Sequence, residues 1–155
     1  MTTLESEHLR LESRVQDIET IESWYEVDPS VRVRFGTAFD AGTGAAASST
    51  LYFEVPVGHR SPWHTHSAEE VVYVIEGSAE AGIGQRKLRV DAGGLVLIPS
   101  GEPHGLENVG EGPLRFLGFF SSAAMVHVCD APLQPFATPF ITTPNAEQLP
   151  VPARL

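Results

Sequence analysis

The sequence predicts an all-β domain built as a sandwich or a barrel. Short runs rich in β-forming residues recur through the chain, and turn signals separate them about every 8–12 residues, the spacing typical of such folds. The chain has 155 residues, of which 42% are hydrophobic. This length and composition suit one domain with a buried core and exclude a mainly disordered protein.

The predicted strands follow one another from residue 31 onward. The runs VRVRFG and STLYFEV are the first two, and the loop AGTGAAAS separates them. EEVVYVIEG is the third and ends at Gly77, after which SAEAGIGQRKLRV predicts a hairpin that turns near residues 82–85. The later strands are LVLIPSG, HGLEN, PLRFLGFFS and AMVHVC. We therefore expect a single barrel over residues 30–130 and no second domain.

The two ends of the chain differ from this pattern. Residues 1–29 are predicted to form an N-terminal arm, in which Leu4, Leu11, Val15 and Ile18 have the spacing of a short helix, with an extended arm as the alternative. Residues 131–155 are rich in proline, which is incompatible with a helix or a central strand. We expect an extended Pro-rich tail along the surface or along a partner.

Composition argues against several classes of partner. Ten basic residues stand against twenty acidic ones, a net charge of −10 that would repel nucleic-acid phosphates. No apolar run of the length needed to cross a membrane is present, and the first residues do not resemble a secretory signal. Cys129 is the only cysteine, as is common in a reducing compartment. The sequence predicts a cytoplasmic protein that binds neither nucleic acid nor membrane.

The stretch WHTHSAEE holds the candidate chemistry. Side chains alternate faces along a strand, so His64, His66 and Glu70 share one face and Glu69 points to the other. Two imidazoles and a carboxylate form a donor set that suits Fe, Mn, Ni, Co or Zn. A solvated polar hairpin explains these residues alone equally well.

Wider spacing supports the metal interpretation. Gly58, His64, His66, Glu70 and Gly77 are separated by five, one, three and six residues. After fifteen further residues come Gly93, Pro99, Gly101, His104 and Asn108, separated by five, one, two and three. These ten positions match the two motifs of the cupin superfamily, and the sequence resembles that superfamily over about residues 30–129.

The resemblance implies a double-stranded β-helix, the jelly-roll barrel of cupins. It also implies one divalent transition metal per chain, held by His64, His66, Glu70 and His104. Gly77 and Gly101 are expected at turns that need a positive φ. The remaining histidines, His59 and His127 among them, are expected to be surface or packed residues.

Four protein ligands leave two positions of an octahedral ion for water, O2 or substrate. Glu70 is the nearby base for a hydroxyl or enol, and the resemblance to quercetinase-like cupins implies a dioxygenase with an enol or phenol substrate. The alternatives are a non-redox isomerase, lyase or polyketide cyclase with the metal as Lewis acid, and a small-molecule-binding cupin without catalysis.

Apolar residues predict the surroundings of the site. The candidates for pocket walls are Tyr52, Phe53, Trp63, Phe116, Phe119, Phe120 and Met125. Val71, Tyr73 and Ile75 form a second apolar stripe on the opposite face of their strand, which a terminal arm or another subunit must cover. Because many cupins exchange terminal segments between subunits, we expect a homodimer.

Overall fold

A computed structural model describes residues 9–145, which form two six-stranded antiparallel sheets with facing inner surfaces. The strands are β1 (Ile21–Trp24), β2 (Arg32–Phe39), β3 (Ser49–Val55), β4 (His64–His66), β5 (Glu70–Glu76), β6 (Ser78–Ile83), β7 (Arg86–Asp91), β8 (Leu95–Ile98), β9 (His104–Asn108), β10 (Leu114–Phe120), β11 (Met125–Leu133) and β12 (Thr138–Thr143). The all-β prediction is confirmed.

The sheets have the crossed strand order of a jelly roll. One sheet runs β1-β2-β3-β10-β5-β8 and the other runs β12-β11-β4-β9-β6-β7, so strands distant in sequence lie side by side. The run STLYFEV coincides with β3, and the β6–β7 hairpin turns at Gly84 and Gln85, within the predicted range.

The short helix predicted within residues 1–23 is wrong for the described part of that segment. Residues 9–23 contain a 3₁₀ turn at Val15–Asp17 and the start of β1, which pairs with β2. Leu11 is 82% exposed, so the apolar spacing gives a helix no surface to pack against. A short helix without packing is marginal in water, and pairing with β2 supplies backbone hydrogen bonds instead. Leu4 lies outside the described residues.

The Pro-rich tail is not confirmed as a separate extension. Strand β11 continues past residue 130, and β12 forms the edge of its sheet. Pro139 lies in this edge strand, and Pro132 lies in the irregular register between Val128 and Leu133. Both are places where a missing backbone N–H does least harm. Residues 146–155 lie outside the described part.

The inner faces of the two sheets form a core in three clusters, and Phe53 packs against all of them. Its ring stacks on that of Phe116 with 4.9 Å between centroids and on that of Phe35 at 6.4 Å. Phe53 therefore joins the clusters around the space in which the histidines lie.

The predicted outer stripe is present, and Val71 and Tyr73 are 36% and 38% exposed. Leu97 and Leu95 pair opposite them on edge strand β8, and Phe119 pairs with Val71 from β10. All three are also exposed, so the apolar surface is wider than one strand. The homodimer stays a prediction.

Gly77 and Gly101 have φ values of +90° and +76°, as their turn positions predict. At Gly77 space is also limited, because an added Cβ would stand 2.5 Å from the carbonyl oxygen of Pro113. Gly58 has a φ of +79° with no atom within 4 Å of such a Cβ. A substitution at Gly58 would therefore introduce backbone strain alone, whereas one at Gly77 would introduce both backbone strain and steric overlap.

We expect Gly58→Ala to lower the free energy of unfolding by about 1 kcal/mol, from left-handed backbone strain alone. Gly77→Ala should lower it by about 3 kcal/mol, because the turn must also move away from Pro113. Urea denaturation of the chelator-treated proteins measures both values. Equal losses in the two variants would contradict the role of this contact.

Candidate metal centre

The histidine centre forms where β4 and β9 of one sheet face the first residue of β5 in the other. His64 and His104 are register partners on β4 and β9, and Glu70 begins β5. His66, Glu70 and His104 are 3%, 4% and 1% exposed, whereas His64 is partly exposed. Glu69 is exposed, as strand parity predicts.

Each of these imidazoles is held through Nδ1 by a backbone carbonyl two residues away. His64 Nδ1 lies 2.8 Å from the oxygen of Pro62, and His66 and His104 make bonds of the same length to Ala68 and Glu102. A carbonyl only accepts hydrogen bonds, so Nδ1 donates in each case. Nε2 is therefore the nitrogen that each ring has left for a metal, as in metal-binding histidines. In the metal-free protein His66 Nε2 instead donates to Glu70 Oε1 at 3.1 Å, a proton that a bound ion would replace.

The predicted ligands converge in two overlapping groups. Donor atoms of His66, Glu70 and His104 all lie within 4.8 Å of one another. Glu70 Oε1 is 3.1 Å from His66 Nε2 and 3.4 Å from His104 Nε2. His64 belongs instead to a group with His66 and His127, although its ring centroid is 4.2 Å from that of His104. His66 is common to both groups.

Electrostatics keep the centre in the protonation state that a cation requires. Burial tends to raise the pKa of Glu70, but contacts with His104 and His66 outweigh it and lower this pKa to about 2. Burial holds the pKa of His64 well below its usual range, with repulsion from His104 and His127 in addition. At neutral pH the carboxylate is therefore ionised and the His64 ring is neutral.

A divalent metal fits this arrangement. His104 Nε2 is fully buried and has no hydrogen-bond partner among the described residues. Burial of this polar nitrogen without a partner costs free energy. A cation bound between His104 Nε2, the carboxylate of Glu70 and the imidazole of His66 would compensate for that cost. Nitrogen and oxygen donors of this kind suit Mn, Fe, Co, Ni and Zn.

Gly118 on β10 makes room for the glutamate, a role that the sequence reasoning did not identify. An added Cβ would overlap Glu70 Oε2 and would stand 3.0 Å from the ring of Phe120. A glycine inside the strand LRFLGFF is itself the signal, because such residues often mark a close approach.

A small cavity of about 60 Å³ adjoins the centre. His64, Glu70 and His104 line it, and Phe53 and Phe116 are the predicted wall residues that do so. The other wall candidates, Tyr52, Trp63, Phe119, Phe120 and Met125, do not. No lysine or arginine of the described chain lines this space.

His127 is the main residue of the centre that sequence reasoning missed. It is 8% exposed, lines the cavity and has its ring centroid 5.3 Å from that of His66. Burial lowers its pKa to about 4, and repulsion from His66 contributes. A surface or packed position was expected for this histidine, but its proximity to the metal motif was not. The inward parity of Met125, His127 and Cys129 was the available signal.

Comparison with known proteins identifies the family. A sequence model of the cupin domain matches residues 51–120. An uncharacterized protein of Methanocaldococcus jannaschii is 38% identical over 64 residues, which are 41% of this chain and 51% of that protein. The match thus spans about half the length of this relative.

Solved structures agree with this family. Oxalate decarboxylase of Lactobacillus farciminis has a TM-score of 0.64 at 23% identity, over 76% of this chain and 35% of that chain. The polyketide cyclase RemF of Streptomyces resistomycificus has a TM-score of 0.59 at 26% identity, over 72% and 79%. A cupin-2 domain of Rhodospirillum rubrum has a TM-score of 0.61 at 24% identity, over 73% and 75%.

The decarboxylase and the Rhodospirillum rubrum domain are both below 25% identical, so their likeness shows the fold alone. Within residues 9–145, no helix has the length and apolar character that crossing a membrane requires. The matched cupin domain and the jelly-roll topology agree with the two sequence motifs. The chain belongs to the cupin superfamily.

Proposed function

We propose that this protein is a mononuclear metal-dependent enzyme in which His64, His66, Glu70 and His104 hold one divalent ion of Fe, Mn, Ni, Co or Zn. The orientation of the imidazoles carries the proposal: three Nδ1 atoms are held by carbonyls, which leaves the three Nε2 atoms as the ligand nitrogens beside one ionised carboxylate. The unpartnered Nε2 of His104 supports it further.

The proposed reaction is dioxygenation of an enol or phenol. A bound redox-active ion supplies positions for O2 and for a substrate oxygen, and it acidifies a hydroxyl beside it. Glu70 lines the cavity with an ionised carboxylate, so it is the group of this chain that accepts the hydroxyl proton. Its low pKa makes it a weak base, and the transfer therefore requires an acidified hydroxyl.

The cavity argues for a small and mainly apolar substrate. Its volume of about 60 Å³ is well below the ~300–1,000 Å³ of pockets for drug-sized ligands. No lysine or arginine lines the cavity beside the carboxylate of Glu70. An ionised carboxylate on a substrate would therefore find no cationic partner in the cavity wall. Short β-diketones and simple catechols fit these properties better than flavonols or dicarboxylates.

A non-redox enzyme is the second candidate. RemF, at 26% identity over most of both chains, is named as a polyketide cyclase. In such an isomerase, lyase or cyclase the metal acts only as a Lewis acid, and no oxygen is consumed. A small-molecule-binding cupin without catalysis would hold the ligand and release it unchanged.

We expect chelator-treated protein to bind one divalent ion per chain and to gain about 5–10 °C in Tm at an ion concentration of 100 Kd. His66→Ala should weaken binding by more than about 100-fold, because it removes a donor common to both groups. Metal analysis and calorimetry measure these quantities, and His59→Ala, outside the centre, is the control. Failure of the wild-type protein to bind any ion would refute the proposal.

Oxygen uptake then tests the reaction itself. Protein loaded separately with Fe, Mn, Ni or Co is offered a short β-diketone, a catechol and a flavonol. We expect uptake with one of the two smaller compounds, a loss of at least about 100-fold in Glu70→Gln, and little uptake with the flavonol. Turnover without oxygen would favour the non-redox enzyme instead, and binding without turnover would favour the binding protein.

Gly118→Ala should lower metal affinity by about 10- to 100-fold with little effect on the other donors, because the new methyl group displaces the carboxylate of Glu70. Gly112→Ala is the matched control, since its Cβ would meet no atom within 4 Å. Calorimetric titration measures both affinities. Equal affinities in the two variants would show that Glu70 does not depend on this space.

The metal-free protein should lose stability as the pH falls below about 6.5. The folded pKa of His127 is about 4 against an ordinary 6.5, so between these values the unfolded chain binds a proton that the native state does not. Glu70, with a folded pKa of about 2 against 4.5, extends the loss to lower pH. Each shift corresponds to about 3 kcal/mol.

Urea denaturation in chelator at about pH 7, 5.5 and 4 measures this dependence. His127→Gln should reduce the loss between about pH 6.5 and 4. A free energy of unfolding that stays constant over this range would contradict the buried, neutral state of His127.

A further inference from the structure

We propose that His127 is a fifth protein ligand of the metal, so that four imidazoles and one carboxylate surround it. The inference rests on the metal site proposed above and changes its composition. Neither cupin motif includes this residue, which lies nineteen positions beyond Asn108, the last residue of the second motif.

Strand pairing places His127 on the same inner surface as the motif histidines. On β11 the odd-numbered residues Met125, His127 and Cys129 are buried, and the residues between them are exposed. His127 is the register partner of His66 on β4. Directly opposite residues of an antiparallel pair have adjacent side chains on one face.

The donor atoms are already close to one another. Ligand atoms of His64, His66 and His127 all lie within 4.8 Å, the same limit that joins His66, Glu70 and His104. Two nitrogens bonded to one ion at about 2.1 Å are at most about 4.2 Å apart. Shifts of at most about 0.6 Å therefore bring the donors of His64, His66 and His127 within this separation. An ion held by all five residues would also require the two groups, which share His66, to approach each other.

Hydrogen bonding leaves one nitrogen of His127 for the ion. Its Nε2 is 2.9 Å from the hydroxyl oxygen of Thr143, which is itself 4% exposed. Its Nδ1 has no hydrogen-bond partner among the described residues. Like His104, His127 thus has one nitrogen bonded to a protein oxygen and the other unpartnered, as a metal-binding histidine does before the ion binds. Here the ligand atom is Nδ1 instead of Nε2.

A fifth protein donor changes what the site accepts. An octahedral ion would then keep one open position instead of two, so a substrate oxygen and O2 could both bind it in the proposed dioxygenation only after His127 had left the ion. A substrate that chelates through two oxygens would have to displace His127. This consequence distinguishes the centre from one with the four motif ligands alone.

The test counts histidine ligands in the Co²⁺-loaded protein by proton NMR. Each ligating imidazole retains one N–H, which gives a hyperfine-shifted signal that disappears in D₂O. We expect four such signals in the wild-type protein and three in His127→Gln. Co²⁺ affinity should fall at least about tenfold in His127→Gln and remain unchanged in the control His59→Gln.

Thr143→Val provides a second variant that keeps the shape of the side chain. It should retain four signals, but the N–H of His127 should exchange faster because its acceptor is gone. Three signals in the wild-type protein, or unchanged affinity in a folded His127→Gln, would overturn the fifth ligand and leave the proposed site intact. Absence of Co²⁺ binding by the wild-type protein would overturn both.

Discussion

The centre depends on the hydrogen bonds that hold three imidazoles to their own backbone. The carbonyls of Pro62, Ala68 and Glu102 each lie two residues from the histidine they bind. Because each bond is local, the ring orientation follows from the path of the chain at that point. The nitrogen that each ring offers to an ion is thus set before any ion arrives, and the energy of ordering the rings is part of the folding energy.

The barrel interior has to be apolar for the fold to be stable, but the metal centre places polar and charged side chains in it. His66, Glu70 and His104 are almost completely buried, next to aromatic and aliphatic side chains that favour an apolar environment. Burying such groups costs free energy unless they are paired, and an ion that binds the native state compensates by mass action. Gly118 shows the same competition on a smaller scale, because β10 lacks a side chain where the carboxylate needs space.

Much of this architecture could be predicted from the sequence. Strand parity separated Glu69 from Glu70, and Gly77 and Gly101, predicted at turns, have positive φ. These features depend on local geometry. Strand β1 and edge strand β12 were missed because pairing with distant strands overrides weak local preferences. His127 was missed for a related reason, since its neighbour His66 is 61 residues away and only the β11–β4 pairing brings them together.

The positions of the donors along the chain have a consequence for folding. Residues 64–70 contain three donors on adjoining strands β4 and β5, so an unfolded chain already carries a short chelating segment. His104 and His127 reach the centre only after β9 and β11 pair on either side of β4. An ion captured early would restrict this segment before the long-range contacts form, and loop-closure entropy would still limit the rate. The ion stabilises the native state only by the difference between its affinities for the folded barrel and for the unfolded chain. Any affinity of the unfolded segment 64–70 for the ion therefore reduces the gain in folding stability that ion binding provides.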